Sequence, residues 1–311
     1  MRMWPPVARS IVARAAGALT GGVQVTTGVM LHLLLRAAAA SEQAVLPARG
    51  QDDLGGGSSS CTGCCAYYQP LTGADVQAPK RWCSEGGYFT FTSPNNRNET
   101  AELFWRCGGD PSAFTIFLGH GWPTSSYDFQ HLAALLEPHL YVCSIDYVGA
   151  GFSDKPKSPW RYHIDDHAQA VHDFLVWKNL TQLAYYTHDE GSTVGLRLLQ
   201  RMQDATAKGQ PPAYHLVHHF LTDGSIYLPL AHLSKGQLDL LSNVTGPALQ
   251  KVMFASVLAH NMGHNDFHPG LTAAQITALA SVMAYQNGSH IMHETIQYLL
   301  LAYYKLFAYR R

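Results

Sequence analysis

The chain has 311 residues, of which 47% are hydrophobic and 14% charged, with a formal net charge of −1. Such a composition excludes a disordered chain and suffices for the buried core of one large domain or two smaller ones. The near-neutral balance leaves no electrostatic footprint for nucleic acid, so any activity has to reside in a localised site.

Residues 1–44 have the composition of a targeting leader. Arg2, Arg9, Arg14 and Arg36 precede the first acid, Glu42, and "VMLHLLL" (29–35) leads into the small-residue stretch "RAAAASEQA" (36–44). The apolar run is shorter than the ~18 residues of a spanning helix, so the reading is a signal peptide or a weak membrane anchor, with a mitochondrial transit peptide as the alternative. Four Asn-X-Ser/Thr acceptors, at Asn98, Asn179, Asn243 and Asn287, favour the secretory pathway, secreted or in an endomembrane lumen.

"VLPARGQDDLGGGSSS" (45–60) mixes Pro, Gly and Ser without periodicity and reads as a linker. It runs into the Cys-rich segment that ends at residue 79. Cys61, Cys64, Cys65 and Cys83 crowd together without a second cluster at zinc-ligand spacing, so disulfides within 61–83 are expected and no metal. Cys143, inside an apolar run, reads as a buried free thiol.

"GGYFTFTS" (86–93) and "AELFWRC" (101–107) are strand candidates around a turn sequence and predict an antiparallel pair. Apolar runs then follow at 114–119, 140–145, 183–187 and 216–222, separated by amphipathic stretches at 129–139, 165–178 and 192–207. The alternation predicts an α/β fold with a mostly parallel sheet flanked by helices. Active sites in such sheets lie beyond the carboxyl ends of the strands, where "HGWPTSS", "DYVGAGFSDKP" and "HDEG" are found.

The last of these is the most informative. A nucleophile on a strand-to-helix turn needs small neighbours, and in "THDEGS" Gly191 meets that need after Asp189. The helix that opens at about Ser192 aims its N-terminal dipole at the acid and favours its carboxylate form. A helix cap is the plainer role for the same Asp. In "HGWP" the main-chain N–H of Trp122, paired with that of Glu190, can face a developing oxyanion. His120, Gly121 and Trp122 are the substrate-contact candidates, with His120 also suited to holding its loop. Asp146 and Asp154 read as loop-shaping acids and Asp128 as a helix-start residue.

"HGWPTSSYDF", "IDYVGAGFSDKP", "YHIDDHAQAV" and "YYTHDEG" together resemble, in order and spacing, the epoxide hydrolase and haloalkane dehalogenase branch of the α/β-hydrolases, nearest to its mesoderm-specific transcript group. The resemblance covers roughly residues 80–311, with "LTDGSIYLPLAHL" (221–233) as entry to a cap. It implies an α/β-hydrolase core over 80–223 with strands 1–6 and a helical cap over 224–311. It also implies attack by Asp189 on an electrophilic carbon, an alkyl-enzyme ester, and hydrolysis by a water activated by a His paired with a second acid. The implied substrate is a small, mainly apolar molecule with an electrophilic carbon, and no cofactor is involved.

Three departures qualify the resemblance. Glu190 stands where dehalogenases usually place a halide-binding Trp. The acid that opens an epoxide is commonly a cap tyrosine, and Tyr285, Tyr298, Tyr303 and Tyr304 all fall in the cap. The family's base His follows the last strand, whereas this sequence ends in "LAYYKLFAYRR" (301–311), which reads as a cap helix. The fold is therefore expected to be incomplete at its C-terminus and the base absent, with Asp223 as a stand-in second acid. A non-catalytic binding protein that keeps the pocket and a truncated gene product are the rival readings. His260, His264 and His268 recur every four residues, but the adjoining Pro269-Gly270 argues against a metal site.

Overall fold

The computed structural model describes residues 62–224, 231–263 and 271–300. The leader, the linker, Cys61, His264, His268, Tyr303 and Tyr304 lie outside these residues. The chain enters through two short helices, α1 (Cys64–Tyr68) and α2 (Gln77–Ser84), tied by a Cys64–Cys83 disulfide. Cys65 is disulfide-bonded as well. The Cys-rich segment is thus folded and contributes Cys64, Tyr68 and Val76 to the core.

β1 (Gly86–Thr92) and β2 (Thr100–Gly108) form the expected antiparallel pair, joined by a turn in which Arg97 and Asn98 adopt positive φ. β3 (Thr115–Gly119), β4 (Tyr141–Ile145), β5 (Gln182–His188) and β6 (His215–Thr222) complete one sheet in the order β1-β2-β4-β3-β5-β6. β4, β3, β5 and β6 run parallel and β2 joins β4 antiparallel. All five residues of β3 are buried, the mark of a central strand covered on both faces.

The covering helices are α3 (Gln130–Leu136), α4 (Ile164–Trp177) and α5 (Glu190–Ala207). α4 places Phe174 among Phe89, Trp105 and Phe117, where aromatic burial anchors the helix to the sheet. The segment after β6, where a cap is expected, forms α6 (Lys235–Leu241), α7 (Gly246–Leu249), α8 (Ala255–Gly263), α9 (Ala273–Ala284) and α10 (Met292–Ile296). α6 and α9 both begin with a capping box, Ser234 with Gln237 and Thr272 with Gln275. No helix of the described residues is long and apolar enough to cross a membrane.

The N-terminal helices fasten the cap to the core. Tyr68 Oη and Ser281 Oγ lie 2.9 Å apart, and Tyr67 Oη donates to Ser281 O at 3.0 Å, both from α1 to α9. On the core side Trp82 of α2 donates to Ser126 Oγ, while the Arg106 guanidinium lies 4.2 Å over the Trp82 ring and pairs with Glu85 and Glu137.

The free thiol expected at Cys143 is corrected by the register of β2 on β4. Cys107 stands directly opposite Cys143, 4.1 Å away between Cα atoms, and the two are disulfide-bonded. Directly opposed cross-strand positions bring Cβ atoms within bonding reach.

His219 of β6 stacks on Tyr185 and shares a 3.0 Å hydrogen bond with Thr187 Oγ1. Burial pushes its imidazole down from the usual histidine value to about 4. The unfolded chain therefore binds more protons between pH 6.5 and 4, and stability is lost as pH falls through that window. Urea unfolding at a series of pH values should give His219→Asn a flatter loss on acidification than the wild type.

Candidate active site

β5 ends at His188 and α5 begins at Glu190, so the chain must turn sharply at the residue between them. Asp189 makes the turn with φ 51 and ψ −120, a conformation that costs a side chain with a Cβ on the order of 1–3 kcal/mol. The surroundings over-determine it. Asp189 N–H donates to Thr222 O at 3.0 Å, which ties the turn to the end of β6. A Cβ on Gly191 would lie 2.5 Å from Gly119 O and 2.6 Å from His120 O, so only glycine lets α5 approach β3 this closely.

The Asp189 carboxylate accepts two main-chain hydrogen bonds on the same oxygen. Trp122 N–H donates to Oδ1 at 3.0 Å, and Glu190 N–H donates to Oδ1 as well. The two groups picked out as oxyanion donors therefore converge on Asp189 itself. Asp189 is at once the helix cap, one of the two roles expected of it, and the centre of the turn. Burial nevertheless pushes its carboxyl above the ordinary range, opposed by the two amides and reinforced by the Glu190 charge, while His188 works the other way. The helix N-terminus is present as expected, but desolvation outweighs it.

The "HGWP" loop is held by His120, whose ring is buried against Tyr147. Its Nδ1 donates to Gly121 O at 2.9 Å and its Nε2 accepts from Tyr147 N–H at 3.0 Å. Both ring nitrogens are thus committed to the main chain, which fits loop support and removes His120 from direct substrate contact. Gly121 packs against Asp189, because a Cβ there would lie 2.6 Å from Asp189 Cβ. Asp146 shapes the neighbouring loops by accepting from Ser126 N–H at 2.8 Å and Phe152 N–H at 2.7 Å. Asp154 accepts from Glu102 N–H at 2.9 Å.

The cap closes over this rim through α10. Trp122 Nε1 donates to Thr295 Oγ1 at 2.9 Å, and Tyr298, just past α10, sets its buried hydroxyl against the Asp189 carboxylate. Burial, with the charges of Asp189 and Glu190, pushes the Tyr298 phenol well above its usual value and keeps it protonated. Tyr285 packs edge-on against Phe152 and Tyr67, away from the nucleophile. Of the two candidate tyrosines among the described residues, Tyr298 is thus the one beside Asp189.

A buried pair that sequence reasoning missed lies beside the turn. His167 Nδ1 is 2.9 Å from Glu190 Oε1, with side chains 5% and 6% exposed. The only sequence trace was the His163/His167 spacing of one helical turn in "YHIDDHAQAV". Asp223 lies at the end of β6 with φ 51 but is exposed, and among the described residues no hydrogen bond reaches its carboxylate. His260, on α8, is exposed. Asn98, Asn179, Asn243 and Asn287 are all exposed.

A family profile for the alpha/beta hydrolase fold matches residues 115–208. Among curated proteins, "Putative hydrolase LipZ" of Mycobacterium tuberculosis is 31% identical over 201 residues, covering 64% of this chain and 66% of the relative. Mesoderm-specific transcript protein of Mus musculus is 27% identical, covering 70% of this chain and 64% of its own length. A haloalkane dehalogenase of Bradyrhizobium diazoefficiens is 28% identical over 33% of each chain. The chain thus spans about two thirds of the two longest-matching of these relatives.

Among solved structures, the epoxide hydrolase CorEH superposes with a TM-score of 0.54 at 17% identity, covering 70% of this chain and 74% of that one. An alpha/beta hydrolase fold protein from Burkholderia ambifaria gives 0.51 at 15% identity, over 70% and 77%. These likenesses carry the fold. Together with the family profile over 115–208, the parallel β4-β3-β5-β6 sheet and the strand-turn-helix at Asp189, they show that the chain has the α/β-hydrolase fold.

Proposed function

We propose that the chain uses Asp189 as a nucleophile towards an electrophilic saturated carbon, with a small, mainly apolar epoxide as the substrate class. The observation that carries this reading is the Asp189 carboxylate at a positive-φ turn, with Trp122 and Glu190 amides on Oδ1 and the Tyr298 hydroxyl against it. Attack by the carboxylate forms a C–O bond while the ring C–O bond breaks. The departing oxygen takes the Tyr298 proton, leaving a hydroxyalkyl ester on Asp189 and a phenolate that regains a proton from solvent.

A halide leaving group is less well served. Glu190 turns its acid to His167, and the Trp122 indole N–H is already donated to Thr295. Hydrolysis of the ester needs a water activated by a base. Among the described residues the groups that hydrogen-bond Asp189's carboxylate are two main-chain amides, neither of them a base. We infer that, with only these described groups at Asp189, the ester breaks down more slowly than it forms.

Incubation with styrene oxide, followed by intact-mass measurement, tests the reading. A single lasting adduct of one epoxide mass is expected, and Tyr298→Phe should slow its formation roughly a hundredfold. No adduct at high epoxide, with retained binding of an unreactive analogue, would replace the reading by that of a binding protein.

The disulfides and the four exposed acceptor asparagines support passage through the secretory pathway over a mitochondrial route. The leader as signal peptide or weak anchor, and the core and cap bounds of 80–223 and 224–311, belong to the same proposal.

A further inference from the structure

Glu190 places a second carboxyl group next to the nucleophile. Two neighbouring acids oppose each other's ionisation, and in a buried site little water is present to screen them. Glu190 contributes in that direction at Asp189. An uncompensated Glu190 would therefore work against the charge that attack requires.

His167 answers that problem geometrically. It reaches from α4 to the first residue of α5, with Nδ1 2.9 Å from Glu190 Oε1. Its ring is stacked on Tyr147 at 5.0 Å with a 10° interplanar angle, so its orientation is set independently of Glu190. Its Nε2 is buried without a hydrogen-bond partner among the described residues, which leaves Glu190 as the polar contact of the ring. The other titratable groups around the pair are otherwise engaged. His120 spends both nitrogens on Gly121 O and Tyr147 N–H, Tyr147 Oη lies 3.5 Å from Tyr185 Oη, Tyr298 faces Asp189, Asp128 accepts from Thr124 Oγ1, and His188, by Gly121, acts on Asp189 and not on the pair.

We propose that His167 is a positioning residue for the nucleophile: its hydrogen bond to Glu190 holds that acid in place and weakens its action on Asp189, which favours the Asp189 carboxylate. The proposal rests on the reading of Asp189 as nucleophile, but its test does not. In protein labelled with 13C at the aspartate carboxyls, the resonance lost in Asp189→Asn identifies the nucleophile, and its titration midpoint is then followed directly by NMR.

His167→Gln is expected to raise that midpoint by about one pH unit or more, and His167→Gln with Glu190→Gln to return it to the wild-type position or below. The pH at which styrene oxide adduct formation reaches half its maximal rate should move in parallel. An unchanged midpoint in His167→Gln, or a double variant that stays with the single one, would overturn the proposal. Should His167→Gln fail to fold, Glu190→Gln alone must lower the midpoint, and an unchanged value would overturn it equally. Midpoints that move in a protein forming no adduct would reject the nucleophile and keep the positioning. Adducts with immobile midpoints would do the reverse.

Discussion

Asp189→Asn is expected to lower the rate of epoxide adduct formation roughly ten-thousandfold or more, while leaving the protein folded. The amide oxygen of Asn can still accept the Trp122 and Glu190 N–H groups that converge on Oδ1, so the turn keeps its hydrogen bonds. What disappears is the negative charge and nucleophilicity of the carboxylate, the kind of loss that costs enzymes using a covalent intermediate most of their rate. Because burial pushes the Asp189 carboxyl upward, removing its charge should also leave stability equal or slightly raised. Denaturant unfolding alongside the kinetics checks both halves. A variant that is inactive because it is unfolded would say nothing for the nucleophile.

The second large effect is expected at Gly191. An alanine there forces its Cβ to within 2.5 Å of Gly119 O and 2.6 Å of His120 O, both main-chain atoms that cannot rotate away. Either α5 retreats from β3 or the "HGWP" loop shifts, and both movements pull the Trp122 and Glu190 amides off Asp189. Overpacking of this kind costs about 1–3 kcal/mol of stability, and displacement of the reacting groups by about an ångström costs roughly a hundredfold in rate. Gly191→Ala should therefore fold less stably and form adduct at least that much more slowly. Gly236→Ala, where a Cβ would meet no atom closer than Ser234 Oγ at 4.0 Å, is the control and should leave adduct formation unchanged and stability equal or slightly raised.

The parts of the fold that the sequence discloses are those governed by local pattern. β3 to β5 fall within a residue or two of the apolar runs, since a strand buried on both faces must be continuously apolar, whereas β6, at the sheet edge with no fully buried residue, does not have the burial its run predicted. The Asp189 turn is equally legible, because glycine at 191 and an acid at a strand-helix junction are both visible in five letters. The parts that stay hidden depend on contacts between distant segments. Cys107 finds Cys143 through the register of β2 on β4, across 36 residues, and no local pattern encodes that register. Tyr298 stands out from the other cap tyrosines only once α10 docks on the Trp122 loop through Thr295. The His167–Glu190 pair joins the starts of two helices, and neither residue is unusual where it stands. The fastening of α1 to α9 through Tyr68 and Ser281 likewise spans 213 residues.

If Asp189 forms the covalent bond, the adduct must lie on its carboxylate. After reaction with styrene oxide, tandem mass spectrometry of the tryptic peptide 179–197 should place the added mass on Asp189. The unmodified peptide should be the only form recovered from Asp189→Asn. An adduct mapped to Glu190, to His188 or to another peptide, or one that persists in Asp189→Asn, would contradict it.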